Sequence, residues 1–195
     1  MSKALVVLSG GQDSATCLFL AKRDFAEVHA VTFDYGQRHR IEIEAAKKVA
    51  ELAGVASHEV VEVAGILKST SPLLSDTELE QYADATSMAA TIGDRVELTF
   101  VPMRNTLFLT IAMNRAIALG CDTLVTGICQ EDNANYPDCT EEFRFLFERM
   151  ANQSLGQARF QVLAPLMYLS KAETVRLAHS MPDCWKALAY SHTSY

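Results

Sequence analysis

The sequence predicts an α/β fold, an open parallel sheet with helices on both faces. Apolar runs of strand length alternate with amphipathic segments of helix length, which is the pattern of successive β-α-β units. Hydrophobic residues make up 49% of the 195 residues, enough for one well-packed domain in a chain that is short for two. We therefore expect a single domain over residues 1–195.

Six apolar runs have the length of strands, at residues 4–8, 28–33, 58–63, 98–101, 123–126 and 160–163. Helices are expected at residues 14–23, 40–53, 106–119, 141–152 and 171–179. The second of these carries an apolar stripe and stops at Gly54, a residue suited to the position just after a helix. Residues 64–94 lack periodicity and predict a loop-rich insertion, and residues 180–195 predict a less regular C-terminal piece.

The overall composition narrows the class of partner. A net charge of -7 and a pI near 5.2 argue against a broad basic surface for nucleic acid, so a small-molecule substrate is expected. The first apolar run is too short for a signal peptide, and no run approaches the roughly 20 apolar residues that span a bilayer. Five cysteines without a C-x-x-C pair indicate reduced thiols. These features predict a cytoplasmic protein without a membrane partner.

Between the first strand and the first helix lies a loop that we call the phosphate loop, residues 9–14. Glycines let backbone N–H groups approach an anion closely, and the helix that follows directs its positive end to the same point. A carboxylate here can reach Mg²⁺ or cap the helix. The loop consists of Ser9, Gly10, Gly11, Gln12, Asp13 and Ser14.

A Gly-Gly turn with a helix cap would account for part of this string. The full string differs from the dinucleotide-binding and Walker-type spacings, and it resembles the pyrophosphate-binding loop of the N-type ATP pyrophosphatases. That resemblance implies that ATP adenylates a carboxyl or amide oxygen and that pyrophosphate leaves.

Polar clusters follow three predicted strands, at residues 34–39, 102–105 and 127–132. The carboxyl ends of parallel strands share one edge of a sheet, so these clusters are expected beside the phosphate loop. Arg104 and Lys171 are the candidate cations for a triphosphate, although each could also be a surface residue at a helix N-terminus. The basic run 38–40 leaves the same choice open.

The loop 133–139 joins an aromatic ring, amides and a carboxylate near a proline. Tyr136 could stack on a flat heterocycle, and Asp132 or Asp138 could accept hydrogen bonds from the N–H groups at its edge. The alternative is that these residues form an ordinary turn. Cys139 has no histidine nearby in sequence, so a packed thiol is expected there in preference to a nucleophile.

Five clusters together resemble one family, the 7-cyano-7-deazaguanine synthases of queuosine biosynthesis, from residue 4 to about 178. They lie at residues 9–14, 32–39, 100–105, 126–139 and 171–174. The resemblance implies a Rossmann-like fold of the adenine nucleotide alpha hydrolase type and a homodimer. It also implies that ATP and ammonia convert 7-carboxy-7-deazaguanine to the nitrile through two activations.

Carried onto this chain, the resemblance implies roles for individual residues. Asp13, Arg104 and Lys171 would be catalytic, with Asp13 reaching Mg²⁺ through ATP. Asp132, Tyr136 and Asp138 would face the deazaguanine. The nucleotide would also contact Asp34, Tyr35, Gly36, Gln37 and Gly127.

The C-terminus departs from the family pattern. Members carry a four-cysteine zinc site there, whereas no zinc ligands are identified in this chain, and Ser194 falls about where the first of those cysteines is expected. This departure keeps two alternatives open. One is an N-type ATP pyrophosphatase that acts on another acceptor, and the other is a non-catalytic ATP-binding homologue.

Overall fold

A computed structural model of the chain describes residues 2–36, 41–68, 71, 99–130 and 136–193. Within these ranges, five strands form one parallel sheet in the order β3-β2-β1-β4-β5. The strands are β1 (Lys3–Val7), β2 (Glu27–Asp34), β3 (Ser57–Glu62), β4 (Thr123–Val125) and β5 (Gln161–Leu163). The strand order reverses between β1 and β4, and at such a point an open α/β sheet forms a crevice for ligands.

Helices follow the strands along the chain. They are α1 (Gln12–Asp24), α2 (Ile41–Ala53), α3 (Arg104–Ala118), α4 (Glu141–Leu155), α5 (Lys171–His179) and α6 (Pro182–Leu188), with a short 3-10 helix at Pro137–Cys139. Local capping chemistry sets several ends. Ser170 and Glu173 form a capping box at the start of α5, and α4 ends at Gly156 in the left-handed conformation. No helix in the described ranges has the length and apolar character needed to cross a bilayer.

The central strand β1 supplies side chains to an apolar core on each face of the sheet, because successive residues of a strand point to opposite faces. Val6 packs in the core that contains Leu18 of α1, and Leu5 packs in the core that contains Leu109 of α3 and Phe147 of α4. All five side chains are buried. Helices thus cover both faces, and the predicted fold class is confirmed.

One predicted strand is wrong over its described part. Residues 99–101 lie outside the sheet, and residue 98 lies outside the described residues. The apolar character of the run has another cause: Val101 is fully buried, and the Phe100 ring lies 5.4 Å from the ring of Tyr136. Pro102 lacks the N–H that would continue a ladder. The other predicted strands and helices agree to within a few residues where they are described.

Helix α6 was not predicted from the sequence. It has seven residues, and its buried positions are Cys184 and Ala187. Two buried positions three residues apart are too few to establish a helical period, although Pro182 suits a first helical turn. Helix α6 packs against α1 and α2. It therefore lies on the same face of the sheet as α1, the helix that follows the phosphate loop. Of the insertion predicted at 64–94, only residues 64–68 and 71 lie within the described ranges.

Side chains of α4 occupy the outer edge of β5, the last strand of the sheet. Asn152 accepts the N–H of Phe160 at 2.9 Å and donates to its carbonyl at 2.8 Å. Glu148 accepts the N–H of Val162 at 2.8 Å, and Arg144 donates to the Val162 carbonyl at 2.6 Å. Residues four apart share a helix face, so these three side chains replace a neighbouring strand and block further pairing at this edge.

Replacing Asn152 with alanine is expected to lower the free energy of unfolding by about 1–3 kcal/mol, because it leaves backbone groups of the buried Phe160 unpaired. Exposing the edge should also promote aggregation. Urea unfolding and light scattering measure both effects. Gln153→Ala is the control, since this neighbour is exposed and should change stability by less than about 0.5 kcal/mol. Equal stability of the two variants would contradict the edge-blocking role.

Candidate functional site

The phosphate loop closes on itself through two serine hydroxyls. Ser14 donates to the carbonyl of Gly11 at 3.0 Å, and its oxygen accepts the N–H of Ser9 at 3.1 Å. Since the single Ser14 proton is used, the Ser9 hydroxyl donates to Ser14 across their 3.0 Å contact. Ser9 in turn accepts the N–H of Gly11 at 3.3 Å. The loop therefore holds its shape through its own side chains.

The two glycines of the loop meet different surroundings. Gly10 has φ +94°, and a Cβ there would lie 2.1 Å from the backbone oxygen of Glu42 in α2. Gly11 has φ -79°, and a Cβ there would lie 3.5 Å from the Ser9 hydroxyl, an ordinary contact. Gly10 is thus required for packing of the loop against α2, whereas the backbone and surroundings of Gly11 would accept a Cβ.

Asp13 and Lys171 bring α1 and α5 together at this loop. The Lys171 ammonium lies 2.9 Å from Asp13 Oδ2, with half of the lysine side chain exposed. Within the described part of the chain, the buried Asp13 Oδ1 and Gln12 Nε2 atoms have no hydrogen-bond partner. The site therefore places a buried carboxylate oxygen and a half-exposed ammonium group side by side at the phosphate loop.

Gly127, just after β4, makes the second close backbone approach at this edge. A Cβ at Gly127 would lie 3.1 Å from the Ser14 nitrogen and 3.3 Å from its Cα. Such contacts are tighter than side chains normally tolerate, so a glycine lets β4 approach the first turn of α1. This contact places the predicted Gly127 beside the phosphate loop.

The end of β2 carries Asp34 and Tyr35, both buried, and then the exposed Gly36. Asp34 accepts the N–H of Gly36 at 3.1 Å, which fixes the turn as the chain leaves the sheet. The Tyr35 ring lies 5.3 Å from the ring of Phe108 in α3 and 6.0 Å from the Arg104 guanidinium carbon. Arg104 therefore approaches the end of β2 over an aromatic face.

Asp138 lies in the 3-10 helix, which packs against the start of α3. Its Oδ2 accepts the N–H of Asn105 at 3.3 Å, and it is 8% exposed. Burial raises the pKa of the Asp138 carboxyl, while the Asn105 N–H and then the Arg104 charge oppose that rise. Arg104 and Asp138 are thus brought together as a cation and a carboxylate.

Two neighbours of Asp138 complete this cluster. Burial, and after it the Asp138 charge, raises the pKa of the Cys139 thiol to about 12, so the thiol stays protonated at neutral pH. This favours the predicted packed thiol over a nucleophile. The Tyr136 hydroxyl forms a hydrogen bond with the Thr99 hydroxyl, so Tyr136 is held at both its ring and its oxygen.

Some predicted positions lie outside the described residues. They are Gln37 and Asp132 of the predicted site, the basic residues Arg38, His39 and Arg40, and Ser194. Elsewhere in the chain, the described residues contain no group of three His, Cys, Asp or Glu side chains placed to hold a metal ion.

The sequence did not indicate that the C-terminal residues contact the phosphate loop. His192 donates its N–H to the Gly10 carbonyl at 2.9 Å, and the Thr193 hydroxyl accepts the Gln12 N–H at 3.3 Å. These partners are about 180 residues apart in sequence, so no local pattern could reveal them. Asn105 belongs to the polar cluster 102–105 of the sequence, but only the tertiary structure shows its contacts with Asp138.

Comparison with known proteins identifies the family. The sequence model of the protein family described as "Queuosine biosynthesis protein QueC" matches residues 3–195. This chain belongs to the QueC family. A 7-cyano-7-deazaguanine synthase of Gloeobacter violaceus is 48% identical over all of this chain and 83% of its own length. The enzyme of the same name from Chromobacterium violaceum is 45% identical over 99% of this chain and 80% of its own length.

Solved structures support the fold at lower identity. A 4-thiouridine synthetase–RNA complex with bound ATP matches with a TM-score of 0.60 at 18% identity, over 96% of this chain and 42% of the other. An NH3-dependent NAD synthetase from Campylobacter jejuni matches with a TM-score of 0.50 at 15% identity, over 98% and 69%. The predicted family is therefore confirmed. The predicted enzyme class, an ATP-dependent enzyme of queuosine biosynthesis, is confirmed with it.

Gly10→Ala is expected to lower the free energy of unfolding by about 2–5 kcal/mol, because the new methyl group meets the α2 backbone at a positive φ. Gly11→Ala is the matched control, with an ordinary contact and a φ that alanine adopts, and should stay within about 1 kcal/mol of the parent. Thermal and denaturant unfolding of both variants test this difference. A Gly10 variant as stable as the Gly11 variant would show that the contact with α2 is not constraining.

Proposed function

We propose that this chain uses ATP and ammonia to convert 7-carboxy-7-deazaguanine to 7-cyano-7-deazaguanine. One observation carries the proposal: in a QueC-family chain, the phosphate loop and the Arg104–Asp138 cluster lie at the same carboxyl edge of one sheet. ATP would first adenylate the carboxylate, and ammonia would displace AMP to give the amide. A second adenylation, at the amide oxygen, would let AMP leave with that oxygen and form the nitrile.

The phosphate loop is the proposed site for the ATP phosphates. The N-terminus of α1 suits an anion, and Ser9 and Ser14 hold the loop in shape. The half-exposed Lys171 can turn from Asp13 to a phosphate, since its ion pair is open to solvent. Other proposed contacts of the nucleotide are Gly10, Gln12, Asp34, Tyr35, Gly36, Gln37 and Gly127.

Asp13 is the proposed ligand for Mg²⁺ bound with ATP. Its buried Oδ1 atom, without a hydrogen-bond partner among the described residues, is the kind of hard oxygen that this ion prefers. Mg²⁺ would neutralise phosphate charge, while Arg104 and Lys171 would stabilise charge that develops as pyrophosphate leaves. We assign no zinc ligands in this chain.

The deazaguanine is proposed to lie against Tyr136 and Asp138, with Asp132 as a further contact. A guanine-like ring presents adjacent N–H groups that a carboxylate accepts in pairs. Asp138 Oδ2 already accepts the Asn105 N–H, and a carboxylate retains further lone pairs for a ligand. Burial makes such hydrogen bonds stronger than they are in water.

The remaining partner and location assignments are also proposals. The partners are small-molecule substrates and not nucleic acid, in keeping with the net charge of -7. We further propose a homodimer in the cytoplasm. The outward face of α4, where Phe145, Leu146 and Met150 are about half exposed, is the apolar surface that supports self-association.

Purified protein supplied with ATP, Mg²⁺, ammonia and 7-carboxy-7-deazaguanine should release AMP and pyrophosphate and form the nitrile, detected by mass spectrometry. Arg104→Ala should lower kcat by about 10²–10³-fold, the usual effect of removing one group that stabilises transition-state charge. Arg115→Ala is the control on the same helix, because it removes a surface pair with Glu59. ATP binding without substrate-dependent AMP release would instead favour a non-catalytic homologue.

Asp138→Asn should raise KM for the deazaguanine at least about tenfold with little loss of stability. The amide oxygen can still accept the Asn105 N–H, but an amide cannot accept two N–H groups from the ring edge. Steady-state kinetics and thermal unfolding separate the two effects. An unchanged KM would remove Asp138 from substrate recognition and leave it a structural role at the start of α3.

A further inference from the structure

We infer that Asn105 is a positioning residue that fixes the Asp138 carboxylate for substrate recognition, an inference that rests on the proposed function. Asn105 holds the 3-10 helix at three points. Its backbone N–H reaches Asp138 Oδ2 at 3.3 Å, and its side-chain amide donates to the Asp138 carbonyl at 3.1 Å and to Cys139 Sγ at 3.4 Å. Two consecutive residues of that helix are thereby attached to one residue of α3.

The start of α3 depends on this contact. The first N–H groups of a helix have no partner within the helix, and a side chain at the N-cap normally accepts one of them. Here the N-cap is Met103, which makes no side-chain cap, has φ 64° and is 63% exposed. Asp138, 33 residues away in sequence from Asn105, supplies an acceptor for the first turn.

The contact between Asn105 and Asp138 links the residue proposed to stabilise phosphate charge, Arg104, to the residue proposed to recognise the ring, Asp138. Arg104 precedes Asn105 in α3, and Tyr136 lies two residues before Asp138. A movement of the 3-10 helix would therefore change both the distance between the Arg104 charge and the Asp138 carboxylate and the direction in which Asp138 faces a bound ring. Bidentate recognition tolerates little misalignment, so the anchor should contribute to affinity for the deazaguanine and not to affinity for ATP.

The charge on Asp138 follows from the same geometry. Burial raises the pKa of Asp138. The Asn105 backbone N–H lowers this pKa, and the positive charge of Arg104 lowers it further. Cys139 beside it stays a neutral thiol, and Glu141 at the start of α4 is paired with Arg144 at 2.6 Å. The Asn105 side chain is among the groups that lower the pKa of Asp138, so removing it while the 3-10 helix stays in place should favour the protonated carboxyl, which cannot accept two N–H groups.

Asn105→Ala and Asn105→Leu test the inference, the second keeping the side-chain volume without its donors. Each should raise KM for 7-carboxy-7-deazaguanine about tenfold and leave KM for ATP within about twofold. Carbon NMR of the Asp138 carboxyl in the ligand-free protein should show a higher pKa in both variants than in the parent. Asn114→Ala is the matched control, because Asn114 lies on the exposed face of α3 and pairs with Arg115 at 3.0 Å.

Each outcome bears on one claim. If the parent protein turns over the deazaguanine and both Asn105 variants keep its KM and the Asp138 pKa, the positioning role is wrong and the proposed function stands. If the parent shows no turnover, the proposed function fails, and the NMR titration alone decides whether Asn105 positions Asp138. Equal rises in KM for both substrates would indicate general distortion of the site and would also overturn the inference.

Discussion

Two contacts between backbone segments set the position of everything else at this site. Gly10 lies against the carbonyl of Glu42 in α2, and Gly127 lies against the first turn of α1 at Ser14. A Cβ at Gly10 would overlap the Glu42 carbonyl, and a Cβ at Gly127 would crowd Ser14, so these glycines let the phosphate loop approach α2 closely and let the end of β4 approach the start of α1. The crevice at the switch of strand order depends on both contacts.

Around this fixed centre, the charged groups are held less rigidly. Lys171 pairs with Asp13 through a contact that is open to solvent, so either partner can exchange it for a ligand at little energetic cost. Asp138, in contrast, is buried and attached to α3 through Asn105. The difference suits the proposed chemistry, in which phosphates arrive and leave repeatedly while the heterocycle must keep one orientation through two activations.

The residues that build the scaffold and those proposed for chemistry overlap in Asp138. Its carboxylate stabilises the first turn of α3, where Met103 provides no cap, and also faces Arg104 as a charged neighbour. The edge of the sheet at β5 shows a similar arrangement. There, backbone groups at β5 form hydrogen bonds with side chains on one face of α4, those of Arg144, Glu148 and Asn152. In both places a side chain from another element completes backbone hydrogen bonding that the local segment leaves open.

The sequence by itself determined the parallel α/β fold, the phosphate loop and the family, because strand and helix periods and the motif around Gly10 are local properties of the chain. Only the tertiary structure decided that Gly10 is required for packing while a Cβ at Gly11 would make only ordinary contacts, that residues 99–101 lie outside the sheet, and that Asn105 anchors Asp138. It also showed Thr193 against Gln12. These outcomes depend on distances between segments far apart in the chain, which residue spacing does not encode.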